Sequence, residues 1–206
     1  ASGRQEPTAT LASLAGRASG SAARSLYGGF AELENAADDV SVRTLIEPQD
    51  WPLSVVIAIT ATGAKAVGSS EAMERSRTTS PFYGLWVDEQ PGDLAAARAA
   101  ILARDFGALG KIAEHNCLKM HSVMWTARPP IIFWNPATLK CLETVRTLQN
   151  EGVEVFFTID AGPQVKAVCT PQAASRVQLA LQETDGVQQV LSAGLGHGAA
   201  LVGAAC

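Results

Sequence analysis

Two stretches of the chain hold residues whose types and spacing could do chemistry. The first is Phe156-Phe157-Thr158-Ile159-Asp160-Ala161-Gly162-Pro163. A β-rich run, Val155 to Ile159, carries one carboxylate, Asp160, to its end. Ala161-Gly162-Pro163 then turns the backbone sharply. A charge at the end of an apolar strand is costly to bury unless it is paired or used. A glycine in the turn lets main chain come close to a ligand. A carboxylate held this way can accept or orient a proton. Taken alone, the same pattern is that of an Asp closing a turn.

The second stretch is Ser19-Gly20-Ser21-Ala22-Ala23-Arg24-Ser25, in outline an anion site. Amides at a helix N-terminus favour negative charge. Ser19 and Ser21 add hydroxyl donors, and Gly20 admits close approach. Arg24 follows Ser21 by three residues, roughly on the same face, with a guanidinium suited to bidentate binding of carboxylate or phosphate. An ordinary Ser cap followed by a surface Arg would look the same. Lys65 and then Gly68-Ser69-Ser70 at a helix start repeat the theme, and these too could hold a phosphate or simply cap a helix. Together the pieces describe an anionic small molecule gripped by serines, a lysine and an arginine, with Asp160 as the one strong base candidate.

Other chemistries are absent from the pattern. There is no nucleophile–base pair and no GxxxxGK[ST] phosphate loop. Cys117, Cys141, Cys169 and Cys206 have no CxxC spacing, and His115, His121 and His197 form no HExxH, so no protein-bound metal is expected. Reduced thiols fit a cytoplasmic protein. Asn116 and His121 lie five residues apart and do not share a helix face, so His121 reads as a hydrogen-bonded core or interface histidine. A net charge of -4 argues against nucleic acid as the partner. The longest apolar run, Leu53 to Ala61, is too short to span a bilayer. With 47 % apolar and 17 % charged residues, the composition is globular.

The elements that must position these groups follow from periodicity and punctuation. Residues 1–8 are polar and without period. Helical spacing covers Thr10 to Ala18, is interrupted at Ser19-Gly20-Ser21, and resumes from Ala22 to Tyr27 with Ser19 or Ser21 as N-cap. Phe30 to Glu34 is a strand, Asn35 to Ser41 an acidic loop, and Val42 to Ile46 and Leu53 to Thr60 further strands. Ser69 or Ser70 caps a helix through Arg77. One helix begins near Ser80-Pro81, and Asp93 caps another from Leu94 to Arg104. Asp105 starts the longest helical pattern, to Met124, and Pro129-Pro130 stops it. Pro136 opens a helix that Asn150-Glu151-Gly152 closes. Val165 to Cys169 forms a hairpin with the Asp160 strand. Thr170-Pro171 opens a helix ended by Asp185-Gly186, and Val187 to Leu191 is a last strand before a glycine-rich tail, Gly194 to Gly203. The fold class is α+β: an antiparallel sheet with helices packed on one face.

The residues also resemble a known family. Ser19 to Phe30 is similar to the GSGSAxRSxYGGF stretch of diphosphomevalonate decarboxylases, members of the GHMP superfamily. Phe157-Thr158-Ile159-Asp160-Ala161-Gly162-Pro163 resembles their FTxDAGPN. Thr79-Ser80-Pro81-Phe82-Tyr83, Asp105-Phe106, Asn116 with Met120-His121, and Pro129-Pro130 recur in similar order, the Met120-His121 form resembling the bacterial branch. The resemblance covers the C-terminal two-thirds of such enzymes. It implies that residues 1–60 end an N-terminal GHMP domain, that 61–206 form the C-terminal domain, and that the glycine-rich ATP loop lies outside this chain, which alone would be inactive.

The implied reaction is ATP- and Mg2+-dependent decarboxylation of mevalonate 5-diphosphate to isopentenyl diphosphate by a cytoplasmic homodimer. In the family the residue matching Asp160 acts on the C3 hydroxyl, and that matching Arg24 holds the substrate carboxylate. Residues matching Ser19, Ser21 and Ser69 lie along the substrate. Two positions depart from the pattern: Gln164 stands where the family usually has Asn, and Ser70 where some bacterial relatives have Arg. They leave open a monophosphate substrate or a mevalonate 3-kinase. A non-catalytic binding or dimerisation domain is the reading from another class.

Overall fold

The computed structural model describes residues 6–36 and 39–200. Residues 1–5 of the polar start, 37–38 of the expected acidic loop, 201–203 of the tail and Cys206 lie outside them. The chain forms two compact units, Ala1–Pro52 with Leu195–Cys206, and Leu53–Gly194.

The first unit contains helices α1 (Thr8–Ala18) and α2 (Gly20–Arg24) and a hairpin of β1 (Phe30–Ala36) and β2 (Asp39–Ile46). The strands correct the loop expected at 35–41 for its described residues, 35–36 and 39–41: Asn35 pairs with Val40 and Glu34 with Ser41. Ladder pairing overrides the poor strand propensity of Asn and Asp. Buried Glu32 accepts two bonds from Arg43, at 2.9 and 2.7 Å. Gly29 has φ +63, and a Cβ there would lie 2.1 Å from the Ile46 carbonyl oxygen, so the turn into β1 requires glycine.

The second unit is built on an antiparallel four-stranded sheet, ordered β4-β5-β3-β6, from β3 (Ser54–Ile59), β4 (Val155–Thr158), β5 (Val165–Cys169) and β6 (Gln189–Gly194). Strand alternation sends Val56, Ala58, Val165, Ala167, Cys169, Val155 and Phe157 into one core. Helices α6 (Pro136–Asn150) and α7 (Ala174–Gln182) close it with Cys141, Val145, Leu148, Val177 and Leu181 at helical spacing. Three successive β4 residues are buried because Phe156, on the other face, packs on Phe106 at 5.3 Å. That places it against Gly110 of α5 (Phe106–Trp125), where a Cβ would meet the Phe156 ring at 3.1 Å. The expected hairpin of the Asp160 strand with 165–169 is present as the β4–β5 pair.

Several helix boundaries differ from expectation: α2 covers Gly20–Arg24 where 22–27 is expected, and α7 begins at Ala174 and not at Thr170-Pro171. Helix α3 (Ser69–Thr79) has Gly68 at its N-cap, so Ser69 and Ser70 are first-turn residues and not caps. Helix α4 (Tyr83–Ala103) is continuous across Pro91 and is the longest helix described, with 21 residues against 20 for α5. Asp93 therefore caps nothing. Its carboxylate is drawn to α5, where Asn116 donates to it at 2.8 Å and Lys119 forms an ion pair with it. Asp105 does cap α5, accepting from the Ala108 amide at 2.9 Å, and Asn135 with Thr138 forms a capping box on α6.

Candidate functional site

Asp160 lies two residues beyond the last ladder residue of β4, and its side chain is 79 % exposed. It shares one cleft of about 450 Å³ with Lys65, Asn135, Gln164 and Lys166. Lys166 holds its ammonium 2.8 Å from the Asp160 carboxylate. Lys65 lies over the turn, its Cε and Nζ 3.5 and 3.7 Å from where a Cβ on Gly162 would lie, an ordinary contact distance. Its ammonium is 6.0 Å from the centre of the Phe133 ring. The cleft thus presents one open carboxylate and two ammonium groups, one of them paired with it. That arrangement suits an anionic ligand with a proton to be moved or oriented.

The turn after Asp160 is braced from three elements. Thr60 donates its hydroxyl to the Pro163 carbonyl at 2.9 Å, and Thr138 does so at 2.8 Å. Gln164 accepts from the Thr60 amide at 2.6 Å and donates to the Ala61 carbonyl at 2.6 Å. Asn135 donates to the Thr60 carbonyl at 3.2 Å. The Gly162 amide donates back to the Asp160 carbonyl at 2.7 Å. Both amide atoms of Gln164, the residue that departs from the family pattern, are bound to main chain. It is a brace of the turn.

The sequence-derived candidates fall into separate groups. Asp160 and Lys65 line the same cleft. Ser69 and Ser70 line a neighbouring, more apolar one of about 470 Å³ that also reaches Ala161. Ser19, Ser21 and Arg24 belong to the first unit. There Ser19 occupies the N-cap position of α2 without capping it. Its hydroxyl lies 2.8 Å from that of Ser21, so the two serines bind each other, correcting the expected cap. Arg24 is the exposed last residue of the five-residue α2.

His121 is fully buried, its Nε2 3.1 Å from the Ile159 carbonyl oxygen and 3.2 Å from the Trp134 indole nitrogen. Burial pushes its pKa below the ordinary histidine value and keeps the ring neutral, in the hydrogen-bonded core position expected from the sequence. Asn116 ties α5 to α4 through Gln90 and Asp93.

The sequence reading missed Lys166 and the Thr60–Asn135–Thr138–Gln164 brace. Lys166 was within reach of it. The expected hairpin pairs Lys166 with Thr158, on the face and at the end where Asp160 emerges. The brace had no local signal, since its members are scattered over 105 positions from Thr60 to Gln164.

Known proteins of similar sequence and shape align with this chain. Residues 55–197 match the family model described as Mevalonate 5-diphosphate decarboxylase C-terminal domain. The diphosphomevalonate decarboxylase of Candida albicans is 30 % identical over 159 residues, covering 74 % of this chain and 44 % of that protein. The crystal structure of mevalonate diphosphate decarboxylase from Staphylococcus aureus superposes with a TM-score of 0.86 at 31 % identity, over 94 % of this chain and 60 % of that one. A structure described as MDDEF in complex with MVAPP, AMPPCP and magnesium gives 0.85 at 33 % identity, over 94 % and 60 %. The chain therefore spans under half the length of the curated relative and about three-fifths of these solved chains. With more than half of its residues inside the family model, the chain belongs to the mevalonate 5-diphosphate decarboxylase C-terminal domain family.

Proposed function

We propose that the complete protein containing this chain carries out ATP-dependent decarboxylation of mevalonate 5-diphosphate, giving isopentenyl diphosphate, ADP, phosphate and carbon dioxide. The observation that carries this reading is Asp160 set open in a cleft beside Lys65 and Lys166. A tertiary alcohol is a poor nucleophile, and a carboxylate within hydrogen-bond reach can take or orient its proton. Asp160 has that role. ATP, when bound, supplies the phosphoryl group to the C3 oxygen. The C3–O bond then breaks with phosphate, the bond to the carboxylate breaks with carbon dioxide, and the released electron pair forms the double bond. An anion near C3 also favours the positive charge that develops there.

Lys65 and Lys166 offset substrate phosphate or carboxylate charge. Arg24 is assigned to the substrate carboxylate, and Ser19, Ser21 and Ser69 to positions along the substrate. The two ammonium groups of the cleft fit phosphate oxygens. Among the described residues no group of three or more His, Cys, Asp or Glu side chains could hold a metal ion; Mg2+, when bound, would neutralise phosphate charge. The same reading takes the protein to be a cytoplasmic homodimer. Among the described residues no helix is long and apolar enough to cross a membrane.

The test is product analysis with the complete protein. Mevalonate 5-diphosphate should yield ADP and carbon dioxide in equal amounts. A stable 3-phosphate without carbon dioxide would make it a kinase, and turnover of the 5-monophosphate alone would make it a phosphomevalonate decarboxylase.

A further inference from the structure

Ile159 sits between the last ladder residue of β4 and Asp160. The β4–β5 register ends at the Thr158–Lys166 pair, so the ladder supplies no partner for the amide and carbonyl of Ile159. Buried main-chain groups must still be bonded. A single side chain of α5 meets both. The Ile159 amide donates to Cys117 Sγ at 3.2 Å, and the Cys117 thiol donates to the Ile159 carbonyl at 3.5 Å. Cys117 is 4 % exposed, and Ile159, with its side chain in the core, 1 %.

His121, one helical turn on, brings Nε2 to the same carbonyl. A neutral imidazole carries one N–H. Its Nε2 can donate to Ile159 or accept from Trp134, but not both. Cys117 is therefore the fastening that holds in either tautomer. The Asp160 carboxylate itself is exposed, and an exposed ion pair such as that with Lys166 orients it only weakly. Its direction is set by its own main chain. Cys117 and Asp160 also line one cleft, of about 360 Å³, between α4 and α5.

We propose that Cys117 is a positioning residue for Asp160. It releases the chain from the sheet one residue early and fixes the Ile159 main chain, so that the carboxylate leaves the strand at a set angle. The inference rests on the reading that Asp160 acts on the substrate hydroxyl. Sequence alone offered Cys117 only as a scattered thiol.

The test uses Cys117→Val, which fills the site with one methyl group more and removes the polar contacts, and Cys117→Ser, which keeps both donor and acceptor. In the complete enzyme, Cys117→Val should lower kcat by about 10²-fold, the loss that a small misplacement of a catalytic group produces. KM for mevalonate 5-diphosphate should stay within about twofold, because a positioning loss is not a binding loss. Cys117→Ser should restore most of kcat. A Cys117→Val enzyme with wild-type kcat, or one changed only in KM, would overturn the proposal. Amide hydrogen exchange gives a readout independent of turnover. Exchange at Ile159 and Asp160 should quicken in Cys117→Val and not in Cys117→Ser, and unchanged exchange overturns the tie. A wild-type protein without turnover would remove the functional reading and leave exchange to decide whether Cys117 holds Ile159.

Discussion

Lys166 and Asp160 face each other at the mouth of the β4–β5 hairpin, ammonium to carboxylate at 2.8 Å. The contact follows from register. Lys166 pairs with Thr158, and the chain leaves the ladder just beyond, so the carboxylate emerges beside the only charged side chain of β5. With Asp160 79 % exposed, the pair contributes under about 1 kcal/mol to folding. Its consequence is for charge in the cleft.

Lys166→Met should therefore leave the denaturation midpoint nearly unchanged and weaken binding of an anionic substrate. One of the two cleft ammonium groups is lost, and KM should rise about tenfold, the equivalent of ~1.4 kcal/mol. Lys166→Arg should keep most of the affinity. Steady-state kinetics beside a urea melt separates the two effects. A large drop in stability with unaltered KM would make Lys166 a structural residue only.

Gln164 should matter for stability more than its half-buried position indicates. Gln164→Ala removes two bonds to main chain and leaves the Thr60 amide and the Ala61 carbonyl unmet. The expected cost is about 2 kcal/mol. Gln164→Asn, one methylene shorter, should recover only part of it. Urea unfolding of the three proteins checks this. An unchanged midpoint in Gln164→Ala would mean that water replaces the amide at no cost.

His121 makes stability depend on pH. Its folded pKa lies below the ordinary value because burial disfavours the charged ring. The unfolded chain takes up a proton near its reference value of about 6.5, whereas the folded chain resists. Below that pH the unfolded state binds more protons, so stability falls with falling pH, by at most ~1.4 kcal/mol per unit. Unfolding free energies at pH 7.5 and 5.5 should show a wild-type loss that is reduced in His121→Gln. Equal losses in both proteins would place the pH dependence elsewhere.

Arg24→Lys tests the guanidinium that the family resemblance assigns to the substrate and that lies exposed at the end of α2. A point charge cannot reproduce a bidentate fork. If Arg24 holds the substrate carboxylate in the complete enzyme, kcat/KM should fall by at least about 10²-fold, a transition-state loss of ~2.7 kcal/mol. A near-neutral substitution would make Arg24 an ordinary surface residue.

What the sequence showed and what it hid divide on physical lines. The hairpin that carries Asp160, the helix opened by Pro136 and the helix started at Asp105 were readable, because each is a local pattern of alternation or helix-start chemistry. Residues 35–36 and 39–41 were misread because their strand character comes from the partner strand and not from their own side chains. The break expected at Asp93 failed because a residue on another helix, Asn116, claims the carboxylate that would have capped. Similarly, Thr60 and Cys117 act on the Asp160 turn from far along the chain, and no local rule marks them.

The most direct measurement is turnover of mevalonate 5-diphosphate by the complete enzyme, wild type against Asp160→Asn, following ADP and carbon dioxide together. Asparagine keeps the shape of the side chain and removes its basicity. Release of both products by the wild type, with turnover reduced by about 10²–10⁴-fold in Asp160→Asn and KM little changed, is the predicted result. Undiminished turnover in Asp160→Asn would contradict it and take Asp160 out of the chemistry.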